Sequence, residues 1–185
     1  MQSEVRKCAS SAGNREVVEY NALLQRSIID SIINNQVMST YTQILYQIVF
    51  STKSRKKTLC KDNREALFRY IWGVLKNKKC HLYQINGVED HIHIVTHIHP
   101  TVALADLIKD IKIASSGFIK EQGLFPGFDN WQDGYAAFTY SIGAKDNLIE
   151  YVKNQEAHHK NKNFREELIE LLQEHGIEFD EKYLE

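Results

Sequence analysis

An α+β fold is expected: a ferredoxin-like antiparallel sheet with helices on one face, followed by a further C-terminal helix. Three features of the 185-residue chain predict it. Segments rich in β-branched and aromatic residues alternate with segments of helical apolar spacing, in the order strand–helix–strand–strand–helix–strand. An Asn-Gly pair at 86–87 separates two of the strand segments, where a tight hairpin turn is expected. The stretch HIHIVTHIH alternates with the period of two that a strand imposes on its side chains.

The elements follow in order. Residues 1–37 form an N-terminal extension, in which 16–35 have loosely helical apolar spacing; Met38 could equally serve as an internal start. TYTQILYQIVFSTKS has the composition of a buried strand. After the loop STKSRKKTLCKD, Leu67, Tyr70, Ile71 and Val74 recur at helical spacing. HLYQINGVED and HIHIVTHIH read as a strand pair, the second strand beginning either at the turn or after the acidic pair. TVALADLIKDIKIASSGFIKEQ is an amphipathic helix with Leu104, Leu107, Ile108, Ile111 and Ile113 as its stripe. GYAAFTYSI is a strand and AKDNLIEYVKNQEAHHK a helix. FREELIELLQEHG is a short amphipathic helix ending at Gly176.

No apolar run approaches the roughly 18 residues of a membrane-crossing helix. The first residues, MQSEVRKCASSAGNREVV, lack the apolar core of a signal peptide. Cys8, Cys60 and Cys80 stand far apart without a C-x-x-C pair. That argues against a disulfide framework or zinc ribbon and for a reducing, cytoplasmic location. The net charge of −1 conceals an uneven distribution. Residues 38–162 carry 17 Lys and Arg against 12 Asp and Glu, whereas Asn163–Glu185 carry two against eight. A basic body suits a polyanionic ligand, and a merely solvated surface would carry the same charges.

Four histidines fall within VEDHIHIVTHIHP: His91, His93, His97 and His99. Ile92, Ile94, Thr96 and Ile98 share one strand face and are expected to meet the helices. His91, His93, Val95, His97 and His99 share the other, expected to be open. At about 3.3 Å per residue, His91 and His97 stand roughly 20 Å apart, whereas an ion's ligands lie within about 2–2.2 Å of it. One ion cannot gather all four. Either i,i+2 pair can chelate, and spacing does not choose between them; His97 and His99, against Pro100, equally suit wet edge positions. His99-Pro100-Thr101 also matches an H-x-T phosphoesterase pattern that needs two copies, and the chain has one.

In DNLIEYVKNQEAHHK, an ideal helix turns about 100° per residue. With Tyr151 at zero, Gln155 lies near +40° and His158 near −20°, a polar stripe beside the apolar one of Leu148, Ile149 and Val152. A tyrosine with an amide one turn away suits an interface. Beside a histidine pair it suits a nucleophile, because a divalent ion polarises a phosphodiester toward attack and compensates for a phenol pKa of about 10. Imidazole and amide oxygen together suit Mg²⁺ or Mn²⁺.

His91-Ile92-His93 resembles the His-hydrophobe-His signature of single-tyrosine HUH transposases of the insertion-sequence-200/605 type, and Tyr151-Val-Lys-Asn-Gln155 resembles their Tyr-x-x-x-Gln helix. The likeness runs from about Met38 to about Lys162. It takes in TYTQILYQIVFSTKSR, NGVEDHIHIV, the pair Ser115–Ser116 and YVKNQEAHH, and it leaves 1–37 and the acidic helical tail 163–185 without a role. It also selects the first histidine pair. What it implies is a metal-dependent DNA transposase with His91, His93 and Gln155 as ligands of Mg²⁺ or Mn²⁺ and Tyr151 as nucleophile. The substrate would be single-stranded DNA with hairpin ends, cut and rejoined through a 5′-phosphotyrosine. The implied assembly is a homodimer whose active sites are completed in trans, with Gly143 as the hinge of the tyrosine helix. Lys53, Arg55, Lys56, Lys57, Lys109 and Lys112 are candidates for tracking phosphates, and Tyr41 and Trp131 for stacking bases. A domesticated hairpin-DNA-binding protein without transposition is the alternative, and a metal-binding regulatory domain without nucleic acid is the third reading.

Overall fold

Residues 41–159, 162–180, 182 and 184 are described in the structure, a computed structural model. The N-terminal extension, with its helical pattern and Met38, lies outside the described residues. The elements are β1 (Leu45–Ser51), α1 (Lys61–Asn77), β2 (His81–Gly87), β3 (His91–His97), α2 (Leu104–Gln122), β4 (Ala136–Tyr140), α3 (Lys145–Lys153), α4 (Gln155–His158) and α5 (Phe164–Glu174). The strands form one antiparallel sheet in the order β2-β3-β1-β4, with Val49 opposite His93 and Ser51 opposite His91. This is the expected α+β architecture.

Alternation along the central strands feeds two cores. Ile48, Phe50, Ile92 and Ile94 meet Leu67, Ile71 and Leu75 of α1 and Leu107, Ile108, Ile111 and Ile119 of α2. Each such side chain contributes about 1.5–3 kcal/mol when fully buried. The stripe of α2 differs from expectation at one position. Ile113 is exposed, because nine residues beyond Leu104 it lies about 180° around the axis. Ser115 and Ser116 take buried positions instead: the Ser115 hydroxyl donates to the Ile111 carbonyl (2.6 Å) and accepts the Trp131 indole N–H (2.8 Å).

The other face, expected to be open, is covered. Leu45, Val49, Val95 and Phe138 point to it. An uncovered apolar patch of that kind is unfavourable in water. Leu148 and Val152 of α3 close over Leu45 and Val95, while Phe164, Leu171 and Leu172 of α5, with Leu184, close over Val49 and Phe138. The acidic segment is therefore built into the same compact unit, Thr42–Glu185. Helix α5 starts in a capping box: Asn163 Oδ1 accepts the Glu166 amide and the Glu166 carboxylate accepts the Asn163 amide, both at 3.0 Å.

The hairpin turn also moves. Asn86 and Gly87 belong to β2, paired with His93 and Ile92, and the chain reverses through Val88–Asp90. The Glu89 carbonyl is held by the amides of Thr58 (3.0 Å) and Leu59 (2.9 Å), and the Asp90 carbonyl by the amide of Thr52 (2.7 Å). These bonds favour the longer loop over a two-residue turn. A side chain at Gly87 would meet the His91 carbonyl oxygen at 2.3 Å and Ile92 Cα at 2.9 Å. Gly87→Ala is therefore expected to lower stability by about 1–3 kcal/mol through overpacking, read as a lower urea midpoint; an unchanged midpoint would contradict this close approach.

Candidate functional site

The site is assembled on the covered face by β3 and the C-terminal helices α3, α4 and α5. From β3, alternation sends His91 and His93 to the same side, both fully buried. From α3, Tyr151 lies half-buried with its ring 6.1 Å from that of His93. The helix breaks at Asn154 (φ −91°, ψ 16°), and the chain resumes as the short α4, which begins with fully buried Gln155. His158 stays beside Tyr151, as the stripe expects, with ring centres 5.4 Å apart. His159, rather than His158, joins the histidine pair, its ring 4.5 Å from that of His91.

The centre of the site is a residue that sequence reasoning missed. Glu167 of α5 is 1% exposed. Its Oε2 lies 3.4 Å from His91 Nε2, 3.4 Å from His93 Nε2 and 2.9 Å from His159 Nε2. Its Oε1 accepts hydrogen bonds from the Tyr151 hydroxyl and from the Gln155 amide, the latter at 3.1 Å. Gln155 Oε1 in turn accepts from His159 Nε2 at 3.0 Å. A signal was present in the sequence. Phe164, Glu167, Leu168, Leu171 and Leu172 follow the i, i+3, i+4, i+7, i+8 pattern of a buried stripe, with a carboxylate where an apolar side chain belongs.

The electrostatics follow from burial. Desolvation works to lower the His91 pKa, but the hydrogen bond to Asp90 and the nearby Glu167 carboxylate outweigh it and raise the group above its ordinary value. His93 is pushed down to about 4 by burial, against the pull of Glu167. Burial would raise the Glu167 carboxyl, yet the imidazoles of His159, His91 and His93 around it hold it well below the usual carboxylate range. Burial pushes the Tyr151 phenol up, and the Glu167 charge adds to that.

Donor atoms of His91, His93, His159 and Glu167 all lie within 4.8 Å of one another, as ligands of one ion must. Their chemistry fits a divalent cation: His91 Nε2, His93 Nε2 and Glu167 Oε2 are buried without a hydrogen-bond partner. Unpartnered buried polar atoms converging on one point call for a proton or a metal. The imidazoles are oriented from behind, as metal-binding histidines usually are. His91 Nδ1 donates to Asp90 Oδ1 at 2.6 Å. His93 Nδ1 lies 3.1 Å from the Gln47 amide nitrogen, and Gln47 Oε1 accepts from the Tyr140 hydroxyl at 2.6 Å. Turning that amide over, with Tyr140 changing from donor to acceptor, makes His93 Nδ1 the donor and frees Nε2 for an ion.

The remaining expected residues fall elsewhere. His97 is 3.3 Å from the Ile44 amide and His99 Nδ1 is 2.8 Å from the Thr101 hydroxyl, both outside the cluster. Trp131 is 4% exposed and packs edge-on against Phe50 and Phe128, so it cannot stack on a base; Tyr41 is 90% exposed. Lys53, Lys56, Lys57 and Lys109 are exposed, Lys53 lying 3.5 Å from Asp129 and Lys57 3.9 Å from Glu89. Arg55 is turned inward, donating to the Leu184 carbonyl with its guanidinium 5.1 Å from the centre of the Phe164 ring. Lys112 donates to the carbonyls of Gln132 and Gly134. Gly143 lies in the 3-10 turn Ile142–Ala144 before α3. Among the described residues, no helix is long and apolar enough to cross a membrane.

Residues 40–155 match the model of the family described as IS200-like transposases. A candidate transposase from Deinococcus radiodurans R1 is similar in structure, at 20% identity and a TM-score of 0.47 over 63% of this chain and 95% of that one. A REP-associated tyrosine transposase bound to a REP hairpin is similar at 16% identity and a TM-score of 0.49, over 66% of this chain and 74% of that one. No curated protein matches.

Gln47→Leu tests the support behind His93. It leaves His93 Nδ1 and the Tyr140 hydroxyl unpartnered, so stability should fall by about 1–3 kcal/mol. Divalent-ion affinity should fall by roughly 10–100-fold, as for other groups that orient metal ligands. Calorimetric titration with Mn²⁺ reads the second effect, and wild-type affinity would show that Gln47 does not orient the ligand.

Proposed function

Because the chain belongs to the IS200-like transposase family, whose members act on DNA, we propose that it is a metal-dependent transposase. In this reading it cleaves and rejoins single-stranded DNA at hairpin-bearing ends through a 5′-phosphotyrosine. The observation that carries the reading is the meeting of the Tyr151 hydroxyl with the buried His91–His93 cluster through a single carboxylate. A nucleophile and an ion site must share one phosphodiester, and here they lie within one side chain of each other.

Tyr151 Oη gives up its proton and attacks the phosphorus; the bond from phosphorus to the 3′ oxygen breaks, and that oxygen takes up a proton to become the freed 3′-hydroxyl. The product is a 5′-phosphate ester of Tyr151. A second 3′-hydroxyl gives up its proton and attacks to form the new phosphodiester, and the tyrosine oxygen leaves and takes up a proton. Two ester exchanges conserve the bond energy, so no nucleotide cofactor is required. A divalent ion, Mg²⁺ or Mn²⁺, held at His91 and His93 supplies charge neutralisation at the phosphate oxygens. Gln155, the third ligand implied by the resemblance, stands one hydrogen bond from both His159 and Glu167. Of the basic candidates, Lys53, Lys56, Lys57 and Lys109 are the ones exposed for the flanking strand.

The homodimer with sites completed in trans is part of the proposal, with α3 handed across from the turn that holds Gly143. In the single chain, Tyr151 lies at its own histidine pair, which is the cis alternative. Mixing Tyr151→Phe with His91→Ala subunits separates them: a covalent adduct in the mixture requires completion in trans, and its absence leaves the cis arrangement. Tyr151→Phe alone is expected to abolish the covalent DNA adduct, seen as a denaturant-resistant band, while hairpin binding stays within about twofold, since one hydroxyl is removed. An adduct that persists would overturn the nucleophile assignment.

A further inference from the structure

The family match ends at Gln155, yet the carboxylate at the centre of the cluster arrives from α5, twelve residues later. We propose that Glu167 is a ligand of the divalent ion, completing a two-histidine, one-carboxylate set with His91 and His93, and that Gln155 and His159 position this carboxylate rather than bind the ion. The inference rests on the metal-dependent reading above and changes the ligand set from His91, His93 and Gln155.

Hydrogen-bond accounting selects the ligands. His91 Nε2, His93 Nε2, His158 Nε2 and Glu167 Oε2 are buried without a well-formed hydrogen bond; His158 faces the other carboxylate oxygen, Oε1, at 3.8 Å, and His159 Nε2 stands 2.9 Å from Oε2. The carboxylate oxygen stands 3.4 Å from each of the two nitrogens. Two donors about 2.1 Å from an ion and 90–110° apart are separated by about 3.0–3.4 Å, so the observed spacing is that of ligands already gathered. Gln155 is spent differently: its oxygen accepts from His159 and its nitrogen donates to Glu167 Oε1. His159 is also spent. Its Nδ1 faces the Lys162 carbonyl at 2.9 Å, while its Nε2 faces Gln155 Oε1 and Glu167 Oε2. Both ring nitrogens thus meet acceptors, so a doubly protonated His159 donates at each and in that state has no lone pair for the ion.

Two consequences follow. Two imidazoles and one carboxylate leave coordination positions open for a phosphate oxygen, and a set with two nitrogens suits Mn²⁺ better than Mg²⁺, which prefers oxygen. The ion also ties α5 to β3, so the acidic C-terminal segment becomes part of the metal centre.

Calorimetric titration of the full chain with Mn²⁺, without DNA, tests the ligand set separately from the cleavage reading, which the Tyr151→Phe adduct assay addresses. Glu167→Gln should weaken Mn²⁺ binding by more than about 100-fold, beyond the roughly 10–100-fold typical of groups that only orient ligands. Gln155→Ala and His159→Gln should stay within that lower range. Glu167→Asp, which keeps the carboxylate and guards against a folding defect, should recover part of the loss. Hydrogen exchange should show Mn²⁺ protecting the amides of Phe164–Glu174 in the wild type and not in Glu167→Gln. Wild-type Mn²⁺ affinity in Glu167→Gln would overturn the proposal, as would a loss in Gln155→Ala equal to that in His93→Ala. Normal Mn²⁺ binding with faster adduct formation in Glu167→Gln would also overturn it, and would make the carboxylate an occupant of the phosphate's place.

Discussion

One buried carboxylate organises this protein. Glu167 sits at 1% exposure among three imidazoles, a phenol and an amide. An isolated ion there would cost several kcal/mol in lost hydration, so every nearby group must compensate. Asp90, Gln47 and Tyr140 then align the imidazoles from the far side. The polar centre is continuous from β1 to α5, and its members have few alternative arrangements that leave no unpaired buried group.

That centre can exist because both faces of the sheet are covered. Central strands with apolar residues on each side cannot leave one face to water, and α3 and α5 supply what α1 and α2 do on the other face. Covering the histidine face is also what gives the site its chemistry. Burial lowers the His93 pKa and raises that of Tyr151, so a neutral imidazole and a protonated phenol are the resting state near neutrality. An ion and a phosphodiester entering such a low-dielectric site would interact more strongly than in water.

Much of this was legible locally. Period-two alternation identified β3 and the face of His91 and His93, and helical spacing identified α1, α3 and α5. Ile113 was misplaced against helix geometry itself, which sets it about 180° from Leu104, whereas the burial of Trp131 depends on the packing of Phe50, from distant β1, and of Phe128 against it. The turn at Asn86–Gly87 was overridden by backbone bonds from Thr52, Thr58 and Leu59, residues nearly thirty or more positions upstream.

The sequence by itself determined the element order, the strand face that holds the histidine pair, the family likeness and the tyrosine nearest the site. Each depends on periodicity or on residues within one or two turns of each other. Only the tertiary structure decided that Glu167 and His159 join His91 and His93, that the acidic segment is a structural cover, and that Gln155 spends its amide on neighbours. Those outcomes depend on a helix break at Asn154 and on the docking of α5 across the sheet. The docking rests on the packing of Val49 and Phe138 against Phe164, Leu171 and Leu172, contacts between segments more than twenty residues apart.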